Sequence, residues 1–406
     1  MSDLLSVWWG PELVGEVSSV DGGRSLSFRY APGARRAISL SLPLSDKREL
    51  LDGTFFANLL PEASERERLA RALGTSVDND LQLLTAIGGD CAGALSLFPR
   101  QVPSDDVAGA LRPLGTELLI SMRANGAVPV MVEQGLRLSL AGAQEKAPVV
   151  VVDGRLHLPE GSSSPSTHIL KFPSRIFSGL VENELFIMRL ARAVGLDVAS
   201  VQPWPLPGGD LALLVERFDR HAGKRLHQED LCQATGRSMH MKYEEEGGPS
   251  FSEVVAVVRA ASAAPPVDIE RLVRWQAFNT LVGNNDAHGK NVALLHEPHL
   301  RLAPAYDLVC TRAWPALNKK LAMGVGDRRI AGDVGPRAWA LEAERCQLGK
   351  KLVLEIVFDM HERVTSTATT TAEALLAEVP ATPVRAALQQ VLDHCKWFAS
   401  RRKSER

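Results

Sequence analysis

The hydrophobic positions of the first part of the chain form short runs divided by Gly, Pro and Asp. Three runs are predicted to be strands: SVWWGPELVGEVSSV, LSFRYAP and RAISLSLPL. NLLPEASERERLARALG is charged on one face and ends at Gly74, which is typical of a helix with a glycine stop. NDLQLLTAIGGDCAGALSLFP predicts a short helix and one more strand. The pattern predicts a small α+β subdomain over residues 1–110, with RQVPSDDVAGALRPLGTE as a linker.

Residues 130–225 carry the pattern of a sheet with one helix. The stretch LRLSL alternates and the pattern breaks at AGAQEK. An apolar run then reaches Asp153-Gly154, a dipeptide that favours a two-residue hairpin turn. STHILKFP and DLALLVERFDR are predicted strands. Between them, VENELFIMRLARAVGL has apolar residues at helical spacing and a glycine stop at Gly195, so this region is predicted to be a strand-rich lobe.

Helical periodicity dominates residues 226–406. The predicted helices are RLHQEDLCQATG, SFSEVVAVVRAAS, DIERLVRWQAFNTLVGN and KKLVLEIVFDMHERVTSTATTTAEALLAEV. The predicted fold is therefore α+β, with a small N-terminal α+β subdomain, a strand-rich lobe and a helical C-terminal lobe. A strand-rich lobe followed by a helical lobe is the two-lobed arrangement of protein kinases, so phosphoryl transfer is a candidate chemistry for this chain.

Composition limits the classes of protein to which this chain can belong. Its 406 residues are 45% hydrophobic and 23% charged, which suffices for a sizeable core. The formal net charge of -2 provides no global basic field, so any contact with DNA must use a local patch. The basic C-terminus KWFASRRKSER is such a patch, although a run of this kind is more often a solvated chain end.

The cysteines and the apolar runs indicate a cytoplasmic protein. The five cysteines are scattered without a CxxC pair, which argues against a zinc site or a disulfide framework and fits a reducing compartment. No stretch approaches the roughly 18 uninterrupted apolar residues of a transmembrane helix, and the N-terminus lacks the pattern of a signal peptide. We therefore expect a cytoplasmic chain with no membrane partner.

The segment VGNNDAHGKNVALL crowds polar residues between two hydrophobic runs. Taken alone, it is more often a solvated loop than a catalytic loop. Phosphoryl transfer needs an Asp that accepts the hydroxyl proton, an Asn and a second Asp that hold Mg²⁺, and a Lys on the phosphates. Asp286 and Asn291 have the spacing of the kinase catalytic loop, and RLAPAYDLV supplies Asp307. Because two carboxylates in one cleft repel, Asp286 and Asp307 also predict a metal cation between them.

The remaining parts of a kinase site precede this loop in the expected order. STHILKFP supplies Lys171, Glu184 on the next helix is expected to orient that lysine, and LLVERF lies where a hinge strand meets adenine through its backbone. The common kinase signatures are nevertheless missing. Asn285 stands in place of the HRD arginine, YDL replaces DFG, and the candidate phosphate loop SLAGAQEK has a single glycine, Gly142. The chain is therefore not an ordinary eukaryotic-type kinase.

Eight short motifs in series resemble the HipA-type kinase toxins of bacterial toxin–antitoxin modules. They are SLAGAQEKAP, STHILKFP, VENE, VERFDR, HQEDLCQATG, KYEEEGGPSF, GNNDAHGKN and LAPAYDL. FFANLLPEASERERL and IGGDCAGALSLFP resemble the N-terminal subdomain of the same family. Together the motifs cover nearly the whole chain in the order of the family.

The resemblance implies a protein-kinase-like fold, with residues 1–110 as the family's N-terminal subdomain, 130–225 as the ATP-binding lobe and 226–406 as the lobe with the catalytic loop. It implies ATP and Mg²⁺ as cofactors and phosphorylation of a Ser or Thr on a protein. The expected substrate is an aminoacyl-tRNA synthetase, whose modification inhibits translation and induces dormancy, or persistence. The expected partners are a small helix-turn-helix antitoxin and, through that complex, operator DNA.

The resemblance also assigns the site residue by residue. Asp286 is the catalytic base, and Asn291 and Asp307 are the metal ligands. The predicted ATP-binding residues are Ala141, Gly142, Ala143, Gln144, Glu145, Lys146, Lys171, Glu216, Arg217, Phe218, His288, Gly289, Lys290, Asn291 and Tyr306. Ser139 is the predicted autophosphorylation site, and its phosphate is expected to disable ATP binding.

Some of these residues also have structural interpretations, and two other functions stay open. His288 can be structural, Lys290 a surface lysine and Ser139 simply a strand residue. One alternative function is a catalytically silent, kinase-shaped corepressor that acts by binding antitoxin and operator DNA. Another is a small-molecule phosphotransferase with the same site. The intact Lys171 and Asp286 favour an active kinase.

Overall fold

The computed structural model describes residues 4–44, 50–99, 110–138, 141–142, 144–160, 165–379 and 382–404. It divides into two compact units. Unit 1 comprises Met1–Phe172 and Trp204–Met239, and unit 2 comprises Pro173–Pro203 and His240–Arg406. Among the described residues, no helix has both the length and the apolar composition that a membrane span requires.

The described chain alternates between strands and helices along its length. The strands are β1 (Leu4–Trp9), β2 (Glu12–Val20), β3 (Ser25–Tyr30), β4 (Leu51–Asp52), β5 (Leu95–Pro99), β6 (Ala110–Pro113), β7 (Lys146–Val152), β8 (Arg155–Glu160), β9 (His168–Lys171), β10 (Val201–Pro205), β11 (Leu211–Glu216), β12 (Arg220–His221), β13 (Lys224–Arg225), β14 (Gln228–Asp230), β15 (Ala293–Leu295), β16 (Arg301–Leu302), β17 (Lys320–Val325) and β18 (Arg328–Ile330). The α-helices are α1 (Thr54–Ala57), α2 (Ala63–Leu73), α3 (Asp80–Ile87), α4 (Thr116–Asn125), α5 (Ala127–Glu133), α6 (Leu180–Ala193), α7 (Leu231–Ala234), α8 (Phe251–Ala261), α9 (Pro265–Val282), α10 (Pro336–Arg345), α11 (Lys350–Leu376) and α12 (Thr382–Ser404).

The N-terminal part of unit 1 is an antiparallel sheet in the order β4-β3-β2-β1-β5. The predicted strands in SVWWGPELVGEVSSV are confirmed as the hairpin of β1 and β2. Leu5, Val7 and Phe28 are fully buried in the core beneath this sheet. α2 ends at Gly74, whose left-handed φ of 63° closes the last turn as the sequence predicts.

The predicted strand RAISLSLPL is wrong, because this segment is a turn with one isolated bridge between Ser39 and Leu42. The Ser39 hydroxyl donates to one carboxylate oxygen of Glu229 at 2.5 Å. The Leu40 N–H donates to the other oxygen of the same carboxylate at 3.1 Å. These bonds to a side chain replace the backbone ladder that an alternating pattern would otherwise form.

The second sheet of unit 1 contains β11, β9, β7, β8 and β6 in this order, all antiparallel to their neighbours. The predicted hairpin is confirmed, because β7 and β8 join through Asp153 and Gly154, whose φ values are 49° and 70°. The predicted linker is wrong in part, since Ala110–Pro113 forms β6 and pairs with β8. Residues 100–109 of that linker lie outside the described residues.

The predicted helix RLHQEDLCQATG is shorter than its pattern indicates. Its first half contains β14, and only α7 is helical. Asp230 begins this helix by accepting the Gln233 N–H at 2.8 Å, and the Gln233 side chain accepts the Asp230 N–H at 2.9 Å. This reciprocal capping box sets the helix start at Leu231, six residues later than the predicted start at Arg225, because a capping residue has extended rather than helical backbone.

Unit 1 buries a cluster of charged side chains around the residues that follow β11. Asp219 accepts two bonds from Arg217, at 2.8 and 2.7 Å, and one from the Gly93 N–H at 2.7 Å. Arg220 donates to Asp90 at 2.7 Å. Burial raises the pKa of a carboxyl, but the charges of Arg217 and Arg220 outweigh it and lower the pKa of Asp219 to about 2. The carboxylate is therefore ionised at neutral pH.

Asp219→Ala is expected to lower the free energy of unfolding by about 3–5 kcal/mol, because it leaves buried arginine charge without its partner. The matched control is Asp210→Ala, whose ion pair with Arg123 also lies in unit 1 but has 58% and 30% exposed side chains. Such an exposed pair contributes about 0–1 kcal/mol. Urea unfolding measures both variants, and equal effects would contradict the stabilising role of the cluster.

Unit 2 is built mainly from helices, with α11 packed against α6, α9, α10 and α12. The predicted helices around residues 251–261, 265–282 and 350–376 are confirmed as α8, α9 and α11. On α11 the buried residues Val357, Met360, Val364 and Ala368 recur at helical spacing and form its core face. The apolar periodicity of these segments therefore predicted their structure correctly.

His394 lies on α12 and is 3% exposed. Burial, followed by the nearby positive charge of Arg312, lowers the pKa of His394 from 6.5 to about 4. The imidazole is therefore neutral in the folded protein near pH 7. In the unfolded chain, by contrast, a histidine gains a proton at an ordinary pKa of about 6.5.

Stability is expected to fall as the pH is lowered from 6.5 toward 4. Above this range His394 is neutral in both states, but within it the unfolded chain binds a proton that the folded chain does not. His394→Leu should therefore flatten the dependence of the unfolding free energy on pH. Urea unfolding at several pH values measures the slope. If the slope is unchanged in His394→Leu, the pH dependence of stability comes from other groups.

Candidate active site

The polar segment after α9 is an ordered and largely buried loop, so its interpretation as a solvated loop is wrong. The helix ends at Gly283, whose φ is 72° and whose N–H donates to the Asn279 and Thr280 carbonyls. A Cβ added at Gly283 would lie 2.5 Å from Cδ of Arg312. Both the backbone conformation and the space therefore require glycine where the loop leaves the helix.

The side chains of Asn284 and Asn285 hold this loop in its conformation through hydrogen bonds. The Asn284 amide nitrogen donates to Oδ1 of Asn279 at 2.8 Å, and its Oδ1 accepts the Asp286 N–H at 3.1 Å. The Asn285 amide nitrogen donates to the Asn318 carbonyl at 3.1 Å. Since buried polar groups need partners, these two side chains satisfy groups that would otherwise destabilise the loop. They also fix the backbone at Asp286.

Asp286 is held through both its backbone and its side chain. Its carbonyl accepts the Asn291 amide nitrogen and the His288 N–H, each at 2.9 Å. Its Oδ1 accepts the Tyr243 hydroxyl at 2.5 Å. The structure thus brings together Asp286 and Asn291, the two loop residues chosen by their spacing. Tyr243 was missed, although it lies in the motif KYEEEGGPSF.

The segments that carry Asn291 and Asp307 run side by side in unit 2. They flank the two strands of the β15–β16 hairpin. The Tyr306 hydroxyl donates to the Lys290 carbonyl at 2.7 Å, which joins the residues immediately before each candidate ligand. Asp307 itself has a left-handed φ of 58°. Such a conformation is uncommon outside glycine and clusters at functional positions.

Asn291 and Asp307 fit a magnesium ion. The amide nitrogen of Asn291 is used by the Asp286 carbonyl, so its oxygen is the atom left for a cation. Mg²⁺ takes oxygen ligands and usually keeps water and substrate phosphates among them. The described part of the chain has no group of three His, Cys, Asp or Glu side chains that could hold a metal alone. A metal here would therefore need phosphate and water ligands, as in kinases.

Unit 1 carries two lysines of the predicted ATP site on paired strands, namely the phosphate lysine Lys171 and Lys146 of the phosphate loop. Lys146 begins β7, Lys171 ends β9, and the two residues stand directly opposite each other in the antiparallel register. Side chains at opposite positions of such a pair project from the same face of the sheet. The pairing therefore brings two cationic side chains to one place, where they suit an anion.

The predicted phosphate loop is anchored at Gly142 and Glu145. The Gly142 carbonyl accepts the Glu62 N–H at 3.1 Å, and its φ of 111° is strained for any residue with a Cβ. The Glu145 carboxylate accepts the Ala127 N–H at 3.1 Å, at the start of α5. The side chain of Glu145 is thus occupied within unit 1, and its carbonyl accepts the Phe172 N–H at 2.9 Å.

Gln144 is also engaged within unit 1, because its amide nitrogen donates to the Phe172 carbonyl at 3.1 Å. Ala141 is half-buried. Ser139 and Ala143 lie outside the described residues, so their predicted roles rest on the sequence alone. Apart from the side chain of Lys146, any contact of this loop with phosphate would therefore come mainly from backbone N–H groups.

The predicted hinge follows β11. Glu216 is exposed and stands opposite His168 in the pair of β11 and β9. The Arg217 N–H donates to the Thr167 carbonyl at 3.0 Å, and its guanidinium belongs to the buried charged cluster. Phe218 is half-buried. The side chain of Arg217 is therefore structural, and contact of this segment with adenine stays a prediction.

The other predicted residues are buried in unit 2. Glu184 on α6 is 1% exposed, and Lys290 is 7% exposed, so Lys290 is not a surface lysine. His288 is likewise buried, with its ring 5.2 Å from that of Tyr243. The Gly289 N–H donates to the Lys242 carbonyl at 3.2 Å. Orientation of Lys171 by Glu184 stays a prediction.

Two family models match most of the chain. The model of the HipA N-terminal domain matches residues 5–98, and the model of the HipA-like C-terminal domain matches residues 138–368. The chain belongs to the HipA family. The resemblance of its short motifs to this family is thereby confirmed.

Relatives of this HipA-family chain are named as kinases. The putative kinase Y4mE of Sinorhizobium fredii is 40% identical over 92% of this chain and 91% of its own length. The serine/threonine-protein kinase toxin HipA of Shewanella oneidensis is 34% identical over 80% of this chain and 78% of its own. The chain is therefore a member of the HipA-like kinase toxin family.

A solved HipA structure has the same fold. A chain from the complex of Shewanella oneidensis HipA, HipB and operator DNA matches with a TM-score of 0.82 and 27% identity, and the match covers 98% of this chain and 97% of that one. The predicted α+β fold class is confirmed by this match.

Proposed function

We propose that this chain is the toxin of a toxin–antitoxin module and acts as an ATP- and Mg²⁺-dependent serine/threonine protein kinase. The observation that carries the proposal is the loop of unit 2, in which Asn291 is bonded to the backbone of Asp286 and Asp307 follows on the adjoining segment. The kinase names of its relatives support the same activity.

In the proposed reaction, Asp286 accepts the proton of a Ser or Thr hydroxyl on the protein substrate. The hydroxyl oxygen forms a bond to the γ-phosphorus of ATP, the bond from that phosphorus to the β,γ-bridging oxygen breaks, and ADP leaves. Asn291 and Asp307 would hold Mg²⁺, which neutralises charge on the phosphates. Asp286 has only to be oriented correctly, since positioning and electrostatics supply most of the catalysis in phosphoryl transfer.

The nucleotide is proposed to bind through cationic side chains and backbone groups. Lys146 and Lys171 would offset phosphate charge from one face of the sheet, and Lys290 would do so beside the base. Glu184 would orient Lys171. The remaining predicted contacts are the backbone of the phosphate loop, the hinge residues Glu216, Arg217 and Phe218, and the residues His288, Gly289 and Tyr306.

The proposed protein substrate is an aminoacyl-tRNA synthetase, so that translation is inhibited and the cell becomes dormant. The proposed partners are a helix-turn-helix antitoxin and, through it, operator DNA. The antitoxin and DNA are supported by the Shewanella oneidensis complex, which contains HipA, HipB and operator DNA. The synthetase rests on the family resemblance of the motifs. Phosphoproteomics after induced expression would identify the substrate.

Asp286→Asn is expected to retain ATP binding and to reduce phosphate transfer by at least about a hundredfold, because the base acts in the transfer step. Asp307→Asn should weaken the binding of Mg²⁺-ATP as well, since it removes a metal ligand. Transfer from labelled ATP and calorimetric titration of Mg²⁺-ATP measure the two effects. Near-wild-type transfer by Asp286→Asn would refute the assignment of the base.

The same variant distinguishes the kinase from a catalytically silent corepressor. Expression without the antitoxin is expected to arrest growth, and Asp286→Asn is expected to abolish the arrest at equal protein level. Arrest that persists in Asp286→Asn would favour action by binding antitoxin and operator DNA. Phosphorylation of small molecules but of no protein would favour the other alternative function, a small-molecule phosphotransferase.

Self-inactivation through Ser139 is the second proposed activity of this site. Ser139 directly follows Leu138, which is bridged to Asp90, and it precedes Gly142, which is bridged to Pro61. Phosphate adds roughly two negative charges at pH 7. Near a triphosphate and two aspartates these charges are strongly unfavourable, so the modified chain is expected to lose ATP.

Incubation with Mg²⁺-ATP is expected to place phosphate on Ser139 and to weaken ATP binding by at least about tenfold, through repulsion between like charges. Mass spectrometry locates the phosphate, and titration of each form with ATP measures the affinity. Asp286→Asn, incubated in parallel, is the control that should stay unmodified. Phosphate at another residue, or unchanged affinity after modification of Ser139, would exclude this mechanism.

A further inference from the structure

The motif KYEEEGGPSF lies outside the proposed catalytic loop, yet it contains the side chain that contacts the proposed base. The Tyr243 hydroxyl lies 2.5 Å from Oδ1 of Asp286. A carboxylate only accepts hydrogen bonds, so the phenol is the donor. The distance is that of a charge-assisted bond between a hydroxyl and a carboxylate, which is stronger than a bond between neutral groups.

The backbone on both sides of Tyr243 is fixed independently of this bond. The Lys242 carbonyl accepts the N–H of Gly289, which belongs to the loop of Asp286, at 3.2 Å. The Tyr243 carbonyl accepts the N–H of Gly248 at 2.8 Å. On the other side, the Glu244 carboxylate accepts the Gly324 N–H of β17 at 2.7 Å.

Close packing adds to these bonds. A Cβ added at Gly248 would lie 2.7 Å from the carbonyl carbon of Lys242, so the turn after Tyr243 is tight. The Tyr243 ring meets the His288 ring edge to face, with 5.2 Å between centroids. The hydroxyl therefore has a position that unit 2 determines before any ligand binds.

The bond constrains the orientation of the Asp286 carboxylate. The backbone of Asp286 is already held by Asn284 and Asn291, so the side-chain torsions are its main remaining freedom. The Tyr243 hydroxyl occupies Oδ1, and Oδ2 has no hydrogen-bond partner among the residues that the structure describes. One oxygen is thus fixed and the other is left as an acceptor.

We propose that Tyr243 is a positioning residue for phosphate transfer, whose hydroxyl holds Oδ1 of Asp286 so that Oδ2 accepts the proton of the substrate hydroxyl. The inference rests on the proposed kinase function and assigns a role that the catalytic motif itself does not contain. Tyr243 acts through Asp286 and touches neither ATP nor substrate in this role.

Tyr243→Phe removes only the hydroxyl and keeps the ring. It is expected to lower kcat for phosphate transfer by about tenfold while KM for ATP stays within about twofold, because the lost interaction orients the base in the transfer step. In the Asp286→Asn background the same substitution should have no further effect, since the carboxylate that it orients is gone.

Tyr30→Phe is the matched control. It removes a hydroxyl that donates to the Leu42 carbonyl at 2.6 Å in unit 1. This loss is expected to reduce the thermal midpoint without changing kcat by more than about twofold, because Tyr30 is not among the residues of the proposed site. A general loss of stability would affect both variants, whereas loss of positioning affects kcat in Tyr243→Phe alone.

A spectroscopic measurement tests the bond without reference to activity. The chain has three tyrosines, so labelling of the tyrosine Cζ carbon with ¹³C should give three signals. The signal that is missing in Tyr243→Phe is expected to be the one that shifts in Asp286→Asn. A signal that does not shift would overturn the proposal, because it would show that the bond is absent.

The combined results separate this proposal from the kinase function. A shifted signal together with wild-type kcat in Tyr243→Phe would overturn the positioning role and leave the kinase proposal intact. A wild-type protein that shows the bond but transfers no phosphate to any protein, itself included, would overturn the kinase proposal and the positioning role with it. Reduced kcat, unchanged KM for ATP and the shifted signal together would support Tyr243 as proposed.

Discussion

The buried carboxylate of Asp219 connects parts of unit 1 that lie far apart in the sequence. It accepts bonds from Arg217, which directly follows β11, and from the Gly93 N–H, which follows α3. Arg220 extends the network to Asp90. Because a buried charge without its partner is costly, the loop after α3 and the end of β11 cannot separate without a large loss of stability. The position of the predicted hinge therefore depends on the N-terminal part of the chain.

The loop of unit 2 that follows α9 is rich in asparagine because its buried polar groups also need hydrogen-bond partners. An amide side chain donates through nitrogen and accepts through oxygen, so one asparagine can join two backbone or side-chain groups. Asn284 uses both atoms, for Asn279 and for the Asp286 N–H. Asn291 uses its nitrogen for the Asp286 carbonyl and keeps its oxygen. A carboxylate has acceptors but no donor. Asp286 stands at the position of the loop where only an acceptor is needed, which the Tyr243 hydroxyl uses.

The sequence predicted elements whose structure depends on local chemistry. The Asp153-Gly154 turn has positive φ at both residues, and α2 ends at the left-handed Gly74, so residue type alone indicated both. The spacing of Asp286 and Asn291 also predicted that these residues meet. Such features need no distant partner, which is why a single sequence is sufficient to find them.

The failures involve partners that are distant in sequence. RAISLSLPL alternates like a strand, but Ser39 bonds to Glu229, which is 190 residues away. No pattern predicted that the guanidinium of Arg217 donates to the Cys91 carbonyl, 126 residues away. Tyr243 and Asp286 are 43 residues apart, and no spacing rule joins them. Hydrophobic patterns carry no information about which buried polar groups will pair.

The site residues of unit 2 are oriented by the fold itself. Asp286 is bonded at its N–H, its carbonyl and its carboxylate by groups of the same unit. Asp307 is kept in a left-handed conformation that an isolated chain would rarely adopt. The entropy of ordering these groups is lost when the chain folds, so it does not have to be lost again when a substrate arrives. Preorganisation of this kind requires polar groups that are both fixed in position and buried. The loop that follows α9 is therefore largely buried, although its composition resembles that of a solvated loop.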